Sequence, residues 1–154
     1  MTQIDLSGQT ALVTGAGEGI GLAICRKFLE AGCRVVLNDV RPEEALRAAQ
    51  ELQAIGECLA VPGDASSLSF VKDLVQRAVS EFGGLDILVA NAAVTRIESF
   101  LKFSVKDFQD TIDLNLRGSF FLAQAAARYM QQSQTRGRII ITTSVAARRV
   151  VKGL

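Results

Sequence analysis

Between Thr14 and Gly21 the sequence reads Thr-Gly-Ala-Gly-Glu-Gly-Ile-Gly, directly after a short apolar run and before a segment of helical period. Glycines so placed let the backbone turn tightly and approach a pyrophosphate, while the unpaired N–H groups and dipole of the following helix favour its negative charge. The segment does not match Gly-x-Gly-x-x-Gly literally, and a tight turn alone would use the same residues. A second residue narrows the choice. Asp39 closes the next apolar run, eighteen positions past Gly21, where a carboxylate can accept hydrogen bonds from adenosine ribose hydroxyls. A glycine loop followed by such an acid is the chemistry of dinucleotide binding.

Other chemistries are excluded by composition. The chain has no histidine, which removes Ser-His-Asp catalysis, Cys-His catalysis and histidine-ligated metals together. Cys25, Cys33 and Cys58 are odd in number and lack Cys-x-x-Cys spacing, so neither a disulfide framework nor a zinc site is indicated, and no metal is expected. Seventeen basic residues against sixteen acidic ones give a net charge of +1, which calls for neither nucleic acid nor an anionic membrane. The basic residues Arg136, Arg138, Arg148, Arg149 and Lys152 follow Ser133 with no acid among them. They read as an anion-binding tail or, more simply, as a solvated loop beside a strand. The opening residues lack the pattern of a secretory signal, and no apolar stretch of about 18 residues follows. A soluble, cytoplasmic protein with free thiols is the expectation.

The elements that must hold Asp39 and the glycine loop follow from the hydrophobic pattern. Five near-continuous apolar runs, Thr10 to Thr14, Arg34 to Asp39, Glu57 to Val61, Leu85 to Ala90 and Arg138 to Thr143, read as strands covered on both faces. Helices are predicted from Gly19 to Ala31, from Pro42 to Ile55 and from Leu68 to Phe82, the last capped by Ser66 or Ser67. A fourth, long helix from Ser104 to about Gln132 places Val105, Phe108, Ile112, Leu116 and Phe120 on one face. Strands alternating with helices predict a single α/β domain, a doubly wound parallel sheet of Rossmann type.

The glycine segment resembles that of the short-chain dehydrogenase/reductase family, whose Thr-Gly-x-x-x-Gly-x-Gly motif is matched at every fixed position from Thr14 to Gly21. The resemblance continues along the chain. It implies strand order 3-2-1-4-5, with Gly15, Gly17, Glu18, Gly19, Ile20 and Gly21 around the cofactor beside Asp39. Asp64, after the third strand, is similar to the family's acid on the adenine amino group; its alternative is to begin the next helix. Asn91-Ala92-Ala93 resembles the motif that supports the sheet beside the cofactor, with Ala93 in place of the usual glycine, which a negative φ accommodates. Asn115 falls where the family breaks its long helix and holds a water of the proton relay; otherwise it is a polar residue on a wet face. Ser144 corresponds to the serine that hydrogen-bonds the substrate carbonyl or hydroxyl, although a serine at a strand end commonly serves as a cap.

The resemblance also implies a tyrosine about a dozen positions past Ser144 and a lysine four further on, a pair the 154 residues do not reach. Tyr129 stands inside the fourth helix with Ser133 four residues later, and Lys152 has no partner tyrosine. The family reading is an oxidoreductase passing hydride between a nicotinamide cofactor and a small alcohol or ketone, the present chain being its cofactor-binding portion and catalytically silent. Asp39 and Glu18 would oppose a 2′-phosphate, so NAD is expected over NADP. Homo-oligomerisation through the fourth helix is expected too. The rival readings are a nucleotide-binding module without turnover and a helix-mediated interaction protein.

Overall fold

The structure, a computed structural model, describes residues 4–148. The short strands β1 (Thr10–Val13), β2 (Arg34–Leu37), β3 (Cys58–Ala60), β4 (Ile87–Ala90) and β5 (Arg138–Ile141) form one sheet in the order β3-β2-β1-β4-β5. All four pairings are parallel. Each connection passes through helix, as parallel neighbours require: α1 (Gly19–Glu30), α2 (Pro42–Leu52), α3 (Leu68–Phe82), and last α4 (Val105–Thr111) and α5 (Ser119–Gln132) joined by a π-helical segment, Ile112–Gly118. The fold class and strand order are those expected.

Alternation along the strands divides the core in two. Ala11, Val13, Val35, Leu37 and Val89 pack with Cys25, Leu29, Ala45, Ala48 and Leu52 of α1 and α2. Leu12, Val36 and Leu88 point the other way and pack with Val71, Leu74 and Ala78 of α3 and with Leu122, Ala126 and Met130 of α5. Each aliphatic side chain fully buried in this way stabilises the domain by about 1.5–3 kcal/mol before entropy is counted. No described helix is long and apolar enough to cross a membrane.

The strands are shorter than the apolar runs. Thr14, Asn38, Asp39 and Val61 lie past the paired residues: Thr14 N, Asn38 N and Val61 N still donate to Val89 O, Val13 O and Leu37 O, while Asn38 O accepts from Ala16 N at 2.8 Å and Asp39 O from Gly63 N at 3.0 Å, both in loops. The residues with chemistry to do are those released from the sheet. α1 and α2 also end one and three residues early, at Glu30 and Leu52.

Two expectations need correcting. Burial on both faces holds for β1 and β4 but not for β5, where Ile139, Ile140 and Ile141 are 39%, 48% and 49% exposed. The fourth helix is not continuous. It starts as predicted at Ser104, whose Oγ accepts from Asp107 N and donates to the Asp107 carboxylate, but then loosens into the π segment. Along the predicted apolar face Val105, Phe108, Leu116 and Phe120 are exposed, and the seam with α3 is made by Leu122, Ala126 and Met130.

Candidate functional site

A cleft of about 660 Å³ runs across the carboxyl ends of the strands. It straddles β1, where the sheet order reverses between β2 and β4, the crevice in which open α/β sheets bind their ligands. Gly15, Glu18, Ile20, Gly21, Asp39, Asp64, Asn91 and Ala92 all line it. Gly17 and Gly19 shape the loop from behind without lining the cleft, and Asn115 and Ser144 lie outside its lining as well.

The glycine loop is fixed from two sides. Asn91 Nδ2 donates to Thr14 O and Gly15 O, both at 3.1 Å, while Thr14 Oγ1 accepts from the backbone N–H groups of Asn91 and Ala92, also at 3.1 Å. On the other side Gly17 N donates to Asp39 Oδ2 at 3.0 Å. The packing leaves no room at Gly21, where a Cβ would stand 2.4 Å from Gly15 O. Gly19 differs: a Cβ there would meet open space, and its φ of +59° is what favours glycine. Glu18 stands in extended backbone at the N-cap of α1 and makes no side-chain cap bond. The first N–H groups of that helix thus keep no side-chain partner at the cleft wall formed by Ile20 and Gly21.

At the β2 end the charges are paired. Asp39 is 5% exposed; its Oδ1 accepts from Arg41 N at 3.0 Å and from Arg41 Nε at 3.3 Å. The same guanidinium reaches Glu18 Oε1 at 2.9 Å. Hydrogen bonds first from Glu18 and then from Asp39 push the Arg41 pKa up, so the cation is held between two carboxylates. Asp64 uses one oxygen to accept from Ser66 N at 2.8 Å, the helix-starting role named as its alternative, and still faces the cleft. Asn38 was not foreseen. Its buried amide donates to Val61 O at 2.9 Å and Gly63 O at 3.0 Å, pinning the loop after β3 to the end of β2. A lone amide closing an apolar run is the signal that would have found it, since a buried amide must be satisfied.

At the β4 end Asn115 sits inside the π segment, exposed and bonded through both ends of its amide: Oδ1 accepts from Val94 N at 2.9 Å and Nδ2 donates to Val94 O at 2.8 Å. The wet-face alternative describes its exposure but not its bonds, which hold the strand-to-helix loop against the opened helical turn. Gly118 closes that turn where a Cβ would lie 2.4 Å from Ala65 O, so the helix crosses directly over a wall of the cleft. Ala93 is among the described non-glycine residues with negative φ, as its substitution for glycine requires.

Ser144 is displaced from its expected place. It does not end β5 but lies three residues past Ile141, exposed, at the N-cap of a short 3-10 turn, where Oγ accepts from Ala146 N at 3.2 Å. The cap role offered as its alternative is the one seen. Tyr129 does not replace a cleft tyrosine, since its hydroxyl lies near Gly84 at the amino end of β4. Lys152 and Arg149 fall outside the described residues. The three thiols are buried away from the cleft; burial raises Cys33 to about 11, Cys58 to about 12 and Cys25 further still. Among the described residues no group of His, Cys, Asp and Glu is placed to hold a metal.

Residues 9–154 match the family model described as short chain dehydrogenase. The chain belongs to that family. It is 36% identical over 147 residues to the 2-dehydro-3-deoxy-D-gluconate 5-dehydrogenase of Escherichia coli, covering 94% of the present chain and 57% of the relative. It is 39% identical to the L-rhamnose 1-dehydrogenase (NAD(P)(+)) of Azotobacter vinelandii over 92% of the chain and 57% of that protein. Among solved structures, a 7 alpha-hydroxysteroid dehydrogenase complexed with NADH and 7-oxo glycochenodeoxycholic acid superposes with a TM-score of 0.91 at 33% identity, over 98% of this chain and 59% of the other. A Burkholderia cenocepacia short chain dehydrogenase in complex with NADP gives 0.89 at 34% identity over 96% and 60%. The chain thus spans a little under three fifths of the length of the curated relatives it matches.

Proposed function

We propose that this chain is the dinucleotide-binding portion of an oxidoreductase that interconverts a small alcohol and ketone, with NAD(H) preferred over NADP(H). The observation that carries the preference is the Glu18–Arg41–Asp39 arrangement. One guanidinium shared by two carboxylates leaves a net charge of −1 at the β2 end of the cleft. A ribose with free hydroxyls can exchange bonds with Asp39, whereas a 2′-phosphate must break the Arg41 pairing and then face two acids. Like charges about 4 Å apart at a surface-like dielectric repel by up to about 4 kcal/mol before screening, enough for a preference of tenfold or more.

The named relatives support a nicotinamide cofactor, and so does the fit of the residues. Gly21 admits no Cβ against the loop, and the opening of α1 keeps unpaired N–H groups for a pyrophosphate. When bound, the cofactor supplies or accepts the hydride. The chain's own residues do the rest of what is proposed: Gly15, Gly17, Gly19, Ile20 and Gly21 give the loop its shape, Asp39 takes the ribose and Asp64 the adenine. Asn91 and Ala92 brace the middle of the cleft, Asn115 holds the Val94 loop and a relay water, and Ser144 orients the substrate through the hydroxyl proton that its cap bond leaves free. Calorimetric titration tests the preference. NAD should bind at least tenfold more tightly than NADP, and Asp39→Ala should narrow the gap; equal or tighter NADP binding refutes it.

The position of Tyr129 favours binding without turnover in the 154-residue polypeptide. A phenol near pH 10 needs a neighbouring cation to exchange protons at neutral pH, and among the described residues no tyrosine lines the cleft. NADH should therefore bind while ketone-dependent NADH oxidation stays at background; measurable turnover refutes this. The exposed Phe108, Leu116 and Phe120 favour the proposed self-association through the long helix. Leu116→Glu should lower the sedimentation-derived mass.

A further inference from the structure

The sheet makes the cleft long, with different elements building its two ends. Asp39, Arg41 and Asp64 sit beyond β2 and β3, and across β1 the floor of the opposite end is made by Asn91, Val94 and Thr142, with Arg96, Asp110 and Asp113 of the segment after β4 along its wall. Among the described residues Thr142 is the one β5-side contributor to the cleft lining. Its backbone N–H donates to Ala90 O at 3.1 Å, continuing the β4–β5 ladder by one residue, and its hydroxyl lies 3.2 Å from Asn91 Oδ1.

That last contact completes the hydrogen-bonding of Asn91. The amide gives both of its Nδ2 bonds to carbonyls beneath the glycine loop, so Oδ1 faces the other way and needs a donor. The Thr142 hydroxyl is that donor. A continuous path then runs from the end of β5 through Thr142 and Asn91 to Thr14 O and Gly15 O. An asparagine whose Oδ1 has lost its donor has less to oppose rotation about its terminal torsion, and each rotation breaks the two Nδ2 bonds.

We propose that Thr142 is a positioning residue, which through Asn91 sets the β4–β5 half of the cleft for the nicotinamide side of the dinucleotide. This rests on the dinucleotide reading above. Valine at this position keeps the shape and removes the donor, while serine keeps the donor. Adenosine monophosphate is long enough to occupy the Asp39–Asp64 end alone, so it reports on the half of the cleft that Thr142 does not touch.

The test is titration of the 154-residue chain with NADH and, separately, with adenosine monophosphate, for the parent, Thr142→Val and Thr142→Ser, together with thermal melting of each. Thr142→Val should weaken NADH binding by about three- to tenfold, the usual effect of one hydrogen bond. It should leave adenosine monophosphate affinity within twofold and melting nearly unchanged, and Thr142→Ser should bind NADH as the parent does. The inference is overturned if valine binds NADH as well as threonine, if serine fails to rescue, or if both ligands weaken together with the melting temperature. A parent chain that binds no NADH overturns the dinucleotide reading itself, and this inference with it.

Discussion

β1 and β5 are each four residues long, Thr-Ala-Leu-Val and Arg-Ile-Ile-Ile, and both are apolar enough to be interior strands, yet every residue of β1 is buried and every residue of β5 is exposed. Apolarity proposes a strand for the core, but burial is decided by what lies on its edges and faces. β1 has β2 and β4 as neighbours and helices on both sides of it; β5 has only β4 beside it among the described strands. The difference extends to the cleft. Past β1, the loop is fastened by Asn91, Thr14 and Asp39 together, whereas past β5 Thr142 and Ser144 make one side-chain bond each.

The strongest way to break this contrast is Gly21→Val. With Gly15 O 2.4 Å from the added Cβ, the glycine loop must shift, and NADH binding should fall by more than about a hundredfold with a loss of several kcal/mol in stability, typical of overpacking against fixed backbone. Gly19→Ala, strained through φ but open in space, should cost only about 1 kcal/mol and keep the fold. Equal denaturation midpoints and NADH affinities for the two variants would refute the distinction.

Next come paired truncations in the two strands. Leu12→Ala removes a side chain with no exposure and should cost about 2–5 kcal/mol, whereas Ile140→Ala, at 48% exposure, should cost about 1 kcal/mol or less. Urea denaturation decides it, and similar losses would show β5 to be as well covered as β1. The exposed isoleucines also predict self-association of the 154-residue chain, since flat apolar edge strands recruit other chains. Ile140→Lys should reduce the light-scattering mass, and an unchanged mass would place the association elsewhere.

The smallest expected effect is alkaline. Unfolding exposes the thiols, which ionise near pH 8.5, while burial keeps them protonated in the fold, Cys33 to about 11 and Cys58 to about 12. Above pH 8.5 the unfolded chain therefore binds fewer protons than the folded one, and stability falls as pH rises toward those values. Below pH 8.5 the contribution is constant. A thiol reagent at pH 8 should label the unfolded chain far faster than the folded one.

Much of this architecture was legible because it depends on local pattern. The β-α alternation fixed the sheet order once the glycine segment was matched to its family, and Asp39, Asp64 and Asn91 stood at strand ends where the cleft was bound to form. What escaped depends on partners distant in sequence. Nothing near Arg41 shows that it will clamp Glu18, and nothing near Thr142 shows that Asn91 will need its hydroxyl. Ser144 reads as the strand end because the apolar run reaches Thr143, but residue pairing stops at Ile141 opposite Ala90 and the ladder ends with the one further bond from Thr142 N to Ala90 O. What the apolar stripe of the long helix would meet was also not legible, because periodicity gives a face and not its direction.

The π segment sets the phase of everything after it. A turn closed by i to i+5 bonds holds one residue more than the α-helical turn, and each residue advances an α-helix by about 100°. Winding Ile112–Gly118 as regular α-helix at unchanged length would swing Leu122, Ala126 and Met130 off α3 by about that angle, without altering one of their side chains. Deleting one residue together with that change would leave α5 close to its present phase and remove only the opening itself, in which Asn115 meets Val94 and Gly118 passes Ala65. The extra residue is thus spent on the cleft wall and not on the seating of α5.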